Sequence, residues 1–336
     1  MRDAVRLKKL TLDRRIQWAL FAMAPIVLPF GVGPYWTHVL GSVGLYIVLG
    51  LGLNIVVGFA GLLHLGYVAF YALGAYTYAF LASPWFGLHL SFWLLLPVCC
   101  LAAAFAGILL GIPALRTRGD YLAIITLGFG EIIRLLLNNL DPLTGGPKGI
   151  LEIDPPVLFG LAFNRPETFY YLVLTFAGLS TFLAKQLNAS RIGRAWVAIR
   201  EDEEAASAMG IDVVRYKLLA LGIGCSFAGV GGVLFASRQG AIFPGDFGLM
   251  VSINVLCLVI IGGMGSVPGV ILGSAALVGL PEVLRALQQY RMLIFGALLV
   301  AMMIFRPEGF IPEVRLKMEL KRLPEAQGGE AEHGAP

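Results

Sequence analysis

Charge is scarce in this chain of 336 residues: only 14% are Asp, Glu, Lys or Arg, 58% are hydrophobic, and the mean hydropathy is +0.80. That excludes a soluble globular domain, which needs a wettable surface over its core. Reactive side chains are few as well. Cys99, Cys100, Cys225 and Cys257 lie inside apolar runs without CxxC spacing, and His38, His64, His89 and His333 are scattered. Neither a disulfide framework nor a metal centre is indicated. The catalytic patterns are missing too: there is no nucleophile elbow, zinc motif or paired-carboxylate constellation. The closest glycine and lysine element, at residues 145–149, lacks the GxxxxGK[ST] spacing of a phosphate loop. The chain is therefore expected to be no enzyme, to bind no cofactor of its own and to take energy from elsewhere. A net charge of +4 does not indicate nucleic acid, because the cations sit where they orient a membrane protein.

Long apolar runs are what the sequence has in quantity. They predict an all-α, polytopic transmembrane helical bundle of about ten spans, drawn at 16–33, 39–58, 62–82, 91–112, 121–139, 169–187, 217–237, 248–263, 267–286 and 290–306. Membrane strands would be far shorter and alternating, so strands are not expected. Residues 1–15 carry Arg2, Arg6, Lys8, Lys9, Arg14 and Arg15, and no small-residue cleavage site follows, so the first span is expected to be retained. A cytoplasmic N-terminus puts the loops 114–120 and 188–216 and the tail 307–336 inside, and the loop 140–168 outside. The cations agree with this drawing. Arg116, Arg118, Lys185, Arg191, Arg194, Arg200, Arg215, Lys217, Arg306, Arg315, Lys317, Lys321 and Arg322 all fall inside. Three regions result: a basic N-terminus at 1–15, a transmembrane domain at 16–306, and a tail at 307–336 whose end is expected to be disordered.

The loop at 190–217 is charged yet patterned for helix. Ile192, Ala195, Trp196 and Ile199 recur at i, i+3, i+4 and i+7, one apolar stripe on a short helix. A second helix follows, with Asp202 placed as N-cap, Glu203 and Glu204 in the first turn, Ala205, Ala206 and Ala208 in its body, and Gly210 at its close. Helices this short need something to pack against. A docking surface on the cytoplasmic side is the expectation.

The 42 glycines cluster, notably at 58–66, 128–130, 222–232 and 262–265. Such clusters serve either close helix packing or broken helices that line a polar cavity. Asn54 and His64 flank Gly58, Gly61 and Gly66, and these five are pathway candidates. Glu131 and Arg134, three residues apart in the fifth span, share a helix face and can pair. They either hold helices together or contact a solute. Asn138, Asn139 and Thr144 then set polar groups at the outer mouth of that span. A three-residue echo, Phe59-Ala-Gly61 and Phe227-Ala-Gly229, hints at duplicated halves.

These stretches resemble one family. RTRGDYLAIITLGFGEIIRLLLNN at 116–139, LTGGPKGI at 143–150, the glycine-rich segment at 50–81, IGRAWVAIREDEEAASAMGIDVVRYK at 192–217 and GGMGSVPGVILGSA at 262–275 are similar to the LivM-type permease subunit of branched-chain amino-acid ABC importers. Glu204, Ala205, Ala206 and Gly210 match the core of the EAA loop of importer permeases; its trailing Ile-x-Leu-Pro element is absent. The resemblance implies an inner-membrane subunit that forms a pathway with a second, related permease. It also implies two cytoplasmic ATPase subunits, which use ATP, and a periplasmic solute-binding protein. Arg194, Trp196, Glu204, Ala205, Ala206, Met209 and Gly210 would then couple to the ATPases, and Leu, Ile or Val would be the cargo. Urea, an amide or another small amino acid is the alternative within the family. An ion-coupled carrier or a membrane scaffold is the alternative outside it, and neither requires the pair of inside helices.

Overall fold

A computed structural model describes residues 29, 33–115, 120–158 and 161–283, with isolated positions between 290 and 311. The expected spans at 16–33 and 290–306, Arg116 and Arg118, and most of the tail lie largely or wholly outside the described residues. Within them the chain is a helical bundle. Helix α1, Pro34–Leu53, starts on a proline, whose missing N–H has no intrahelical role in a first turn. It continues as a π-helical stretch, Asn54–Phe59. Then come α2, Tyr67–Ala82; α3, Phe92–Ala114; α4, Asp120–Asn139; the single turn α5, Asp141–Thr144; and α6, Pro166–Ala189. Two short helices follow, α7, Arg191–Glu201, and α8, Glu203–Ala208. The remainder are α9, Val213–Gln239; α10, Leu249–Gly262; and α11, Val267–Val283.

Among the described residues, five helical segments are long and apolar enough to cross a membrane: Pro34–Phe59, Phe92–Ala114, Tyr121–Asn139, Pro166–Ala189 and Val213–Gln239. Three apolar helices, α2, α10 and α11, are shorter. At 1.5 Å per residue α2 reaches about 24 Å, less than the roughly 30 Å of a bilayer core. The predicted span at 62–82 is therefore a correction: its first residues are not helical, because Gly61 takes a left-handed φ of +69° and the chain stays irregular to Gly66.

Helix α9 is the central post, packed against α3, α2 and α1. Small residues allow this closeness. A Cβ on Gly74 of α2 would lie 2.4 Å from the carbonyl oxygen of Gly229 in α9, and one on Gly107 of α3 would lie 2.6 Å from Cys225 Sγ. The core against this post is aromatic, with Tyr67, Tyr76, Tyr78, Phe59, Phe70 and Phe247 fully buried.

Successive helices alternate between two ends of the bundle. One end gathers the loops after α2, α4 and α9: Asp154 N donates to Ala82 O, Tyr78 Oη to Asp154 O, and Ile150 pairs with Ile242. The other end gathers the π-helical stretch, α7, α8 and the turn between α10 and α11. A two-residue hairpin, β1 at Val157–Leu158 against β2 at Leu161–Ala162, caps the first end. It departs from the strand-free expectation, and loop closure at the surface explains it better than any membrane strand. The sequence echo also fails as a repeat. Phe59-Ala-Gly61 closes a π-helix, whereas Phe227-Ala-Gly229 sits inside α9.

Candidate functional site

Two helix breaks meet at one end of the bundle. The first follows from a change of helical pitch: in the π-helical stretch the backbone bonds reach further, with Ala60 N donating to Ile55 O at 3.2 Å and Leu62 N to Val56 O at 3.0 Å. The second is the turn after Gly262, where Gly263 and Gly265 take φ of +111° and +83°. Asn54 joins them, its Oδ1 accepting from Gly265 N at 2.9 Å. No side chain fits at Gly58, where a Cβ would lie 2.2 Å from Asn54 Oδ1 and 2.5 Å from Gly265 N. The glycine clusters at 58–66 and 262–265 are thus one structural feature seen from two parts of the chain.

The non-helical residues of the first break lie along α4. Leu65 N donates to Thr126 Oγ1 at 3.1 Å, and a Cβ on Gly66 would fall 1.8 Å from Thr126 O. Val68 N, at the start of α2, donates to Ser252 Oγ of α10 at 2.9 Å. His64 is buried beside the Phe70 ring, with centroids 5.6 Å apart. Among the described residues, neither ring nitrogen of His64 nor Asn54 Nδ2 has a hydrogen-bond partner. Buried polar atoms of this kind are costly unless something satisfies them in another state. The second break is sealed from beyond α11, Phe310 N donating to Ile261 O at 2.8 Å and Ile311 N to Gly262 O at 3.1 Å.

The short helices α7 and α8 stand against this junction. Ser190 caps α7, its Oγ accepting from Gly193 N at 3.2 Å. Asp202 caps α8, its Oδ1 accepting from Glu204 N and Ala205 N, both at 2.9 Å. Gly210 closes the pair with φ of +84°. The apolar stripe of α7 faces inward. Trp196 has no exposed surface, and its indole Nε1 donates to Tyr216 O at 2.8 Å. This corrects the expected docking set: Trp196 and Ala206 are buried within the chain and anchor the pair, because a stripe this apolar is satisfied by the bundle itself. Arg194, Glu204, Ala205, Met209 and Gly210 remain exposed, Met209 by 84%.

Glu131 and Arg134 do pair. Arg134 Nε donates to Glu131 Oε1 at 3.0 Å and to Oε2 at 3.1 Å. Both side chains are part-exposed on the open face of α4, beside Ile132 and Leu135, and the helix breaks do not include them. Among the described residues they therefore hold no second helix.

Sequence reasoning missed Arg200 as a site residue. Its Nη1 donates to the carbonyl oxygen of Gly58, and its Cγ would lie 2.8 Å from a Cβ on Gly61. The signal was available: Arg200 stands four residues after Trp196 and so shares its inward face. Thr126 and Ser252 were missed as well, and no local pattern marks them.

The profile of the family described as branched-chain amino acid transport system, permease component, matches residues 35–304. The chain belongs to this family. This permease is 45% identical over 333 residues to the high-affinity branched-chain amino acid transport system permease protein LivM of Escherichia coli, covering 91% of this chain and 78% of that one. The LivM protein of Salmonella typhimurium matches to the same extent. The permease protein LivH of Escherichia coli is 31% identical over 195 residues, 54% of this chain and 62% of its own. No solved structure matches. As a member of a family of transport permease components, the chain is an all-α, multi-pass membrane permease.

Proposed function

We propose that the chain is the permease subunit of an ATP-driven importer of branched-chain amino acids, paired with a second, related permease and driven by two separate ATPase subunits. The names of the LivM and LivH relatives support the cargo and the paired permease. A periplasmic solute-binding protein delivers the amino acid to the end capped by the hairpin. The opposite end, with α7 and α8, faces the cytoplasm, and both termini lie there. Ten spans result if 16–33 and 290–306 also cross.

One observation carries the coupling role. The exposed Glu204 and Ala205 lie in a helix capped by Asp202, Met209 and Gly210 close it, and Arg200, two residues before Asp202, holds the Gly58 carbonyl at the helix break. An ATPase that pushes α8 moves α7 with it, and Arg200 passes that motion to the break. Asn54, Gly58, Gly61, His64 and Gly66 form the gate. Glu131 and Arg134 face the second permease, where an ion pair on an otherwise apolar face finds polar company. An ion-coupled carrier has no use for the exposed face of α8.

The test is the assembled importer in proteoliposomes with Glu204→Lys, or with a bulky residue at Gly210. Both subunits should insert normally, yet ATP hydrolysis should no longer drive leucine uptake. Normal coupled uptake by both variants would remove α8 from the mechanism.

A further inference from the structure

We infer that the cavity beside Arg238, at the end of the bundle away from the coupling helices, is a binding site for a zwitterionic α-amino acid with an aliphatic side chain. Arg238 takes its carboxylate and Asp246 its ammonium group. This rests on the permease reading above and adds a site to it.

Arg238 lies in the last turn of α9, and Asp246 in the 3₁₀ turn Pro244–Phe247 that follows. Both line one cavity of about 290 Å³, within or just below the size range of small-ligand pockets. A neighbouring cavity of about 350 Å³ opens on the other side of Arg238 and reaches the hairpin-capped loop at Asn164 and Arg165. Solute arriving from that end would meet the second cavity first and Arg238 next.

The charges are the argument. Arg238 is held by neutral acceptors: Nη1 donates to Ser42 Oγ at 3.0 Å and Nη2 to His38 O at 2.7 Å, while its guanidinium carbon stands 6.0 Å from the centre of the Phe169 ring. Asp246 accepts at Oδ2 from Phe243 N at 3.0 Å. Among the described residues neither has an ion-pair partner, and they do not pair with each other. Each has a local task, Arg238 at a helix C-terminus and Asp246 in capping a turn, but neither task neutralises its charge. Arg238 and Asp246 are half-buried and line one cavity, which offers a charge of each sign to whatever enters it. A molecule carrying both counter-charges matches that pair. Guanidinium donors remain free to take a carboxylate, and Asp246 keeps lone pairs for an ammonium group.

Leu45, Leu49, Phe235 and Val251 line the same cavity together with Tyr46, Tyr71 and Gln239, so apolar surface stands beside the two charges. An aliphatic amino acid fits this arrangement. A charged side chain would lose its hydration there.

Equilibrium binding of radiolabelled L-leucine to the assembled importer in nanodiscs tests this, with its decarboxylated analogue isoamylamine and its deaminated analogue 4-methylpentanoate as competitors. Arg238→Met and Asp246→Asn should each weaken leucine binding by at least about tenfold, the loss expected when one partner of a charge-assisted hydrogen bond is removed. Asparagine at 246 still accepts from Phe243 N, so the turn is kept. Isoamylamine should be sensitive to Asp246→Asn alone, and 4-methylpentanoate to Arg238→Met alone. Leucine binding unchanged by both variants, or absent from the unaltered importer, overturns the site; so does an identical response of both analogues to either variant. The permease reading fails separately, through the uptake assay with Glu204→Lys.

Discussion

Arg200 Nη1 donates to the carbonyl oxygen of Gly58, joining a short helix at one end of the bundle to a break in a membrane helix 142 residues away in sequence. Gly58 stands next to the end of the π-helical stretch, and the chain beyond it is not helical, so its carbonyl is among the last ones that no intrahelical donor reaches. The cation supplies that donor from another element. A charged donor to a buried carbonyl is worth about 1.5–3 kcal/mol, more than a neutral one.

Replacing Arg200 with Ala should leave ATP hydrolysis by the assembled importer running while leucine uptake falls at least about tenfold. Arg200→Lys should restore part of it, because an ammonium group still donates but reaches the carbonyl as a point charge. Uptake per ATP hydrolysed, measured in proteoliposomes, is the deciding ratio. Equal ratios for all three proteins would show that the contact transmits nothing.

Trp196 and Met209, both expected at a docking surface, should behave oppositely. Trp196→Ala opens a hole beneath α7 in a fully buried place, at a cost of about 3–5 kcal/mol. Lower abundance and an earlier thermal transition of the detergent-solubilised chain should follow. Met209→Ala removes an 84% exposed side chain, so the thermal transition should not move, whereas co-purification of the ATPase subunits should weaken. Reversal of the two results would place Trp196 at the surface.

Gly66 and Gly128 separate glycines needed for close approach from those that are not. A Cβ at Gly66 would lie 1.8 Å from the backbone oxygen of Thr126, which cannot swing away, while one at Gly128 meets nothing within 4 Å. Gly66→Ala should therefore cost about 1–3 kcal/mol and disturb the break against α4. Gly128→Ala should leave the chain's own stability unchanged. Fluorescence-detected size-exclusion chromatography after a heat step reads both.

Membrane class was legible in the chain because bilayer length and apolarity act on each segment separately: the runs at 91–112, 169–187 and 217–237 became helices with boundaries shifted by a few residues. The pair of short helices, α7 and α8, was legible for a similar reason. Ser190, Asp202 and Gly210 act within a turn or so of themselves, so the caps and the close are properties of the local sequence. The glycine runs at 58–66 and 262–265 left close packing and helix breaks both open, and nothing in them said that they were the same place.

That juxtaposition belongs to the tertiary structure alone. Asn54 and Gly265 meet because α1 and the turn after α10 reach the same end of the bundle, and nothing near either residue encodes the other. The same is true of which face of α7 is covered. A helical period predicts an apolar stripe on Trp196, but whether the stripe meets a partner protein or the chain's own helices depends on what stands opposite. Here the bundle supplies the cover, which leaves Glu204, Ala205 and Met209 outside and turns Arg200 inward to the Gly58 carbonyl. By itself the sequence determined which segments are helical and apolar, because those preferences are local; only the packing of distant segments decided which polar groups face each other, because that depends on where the whole chain places its ends.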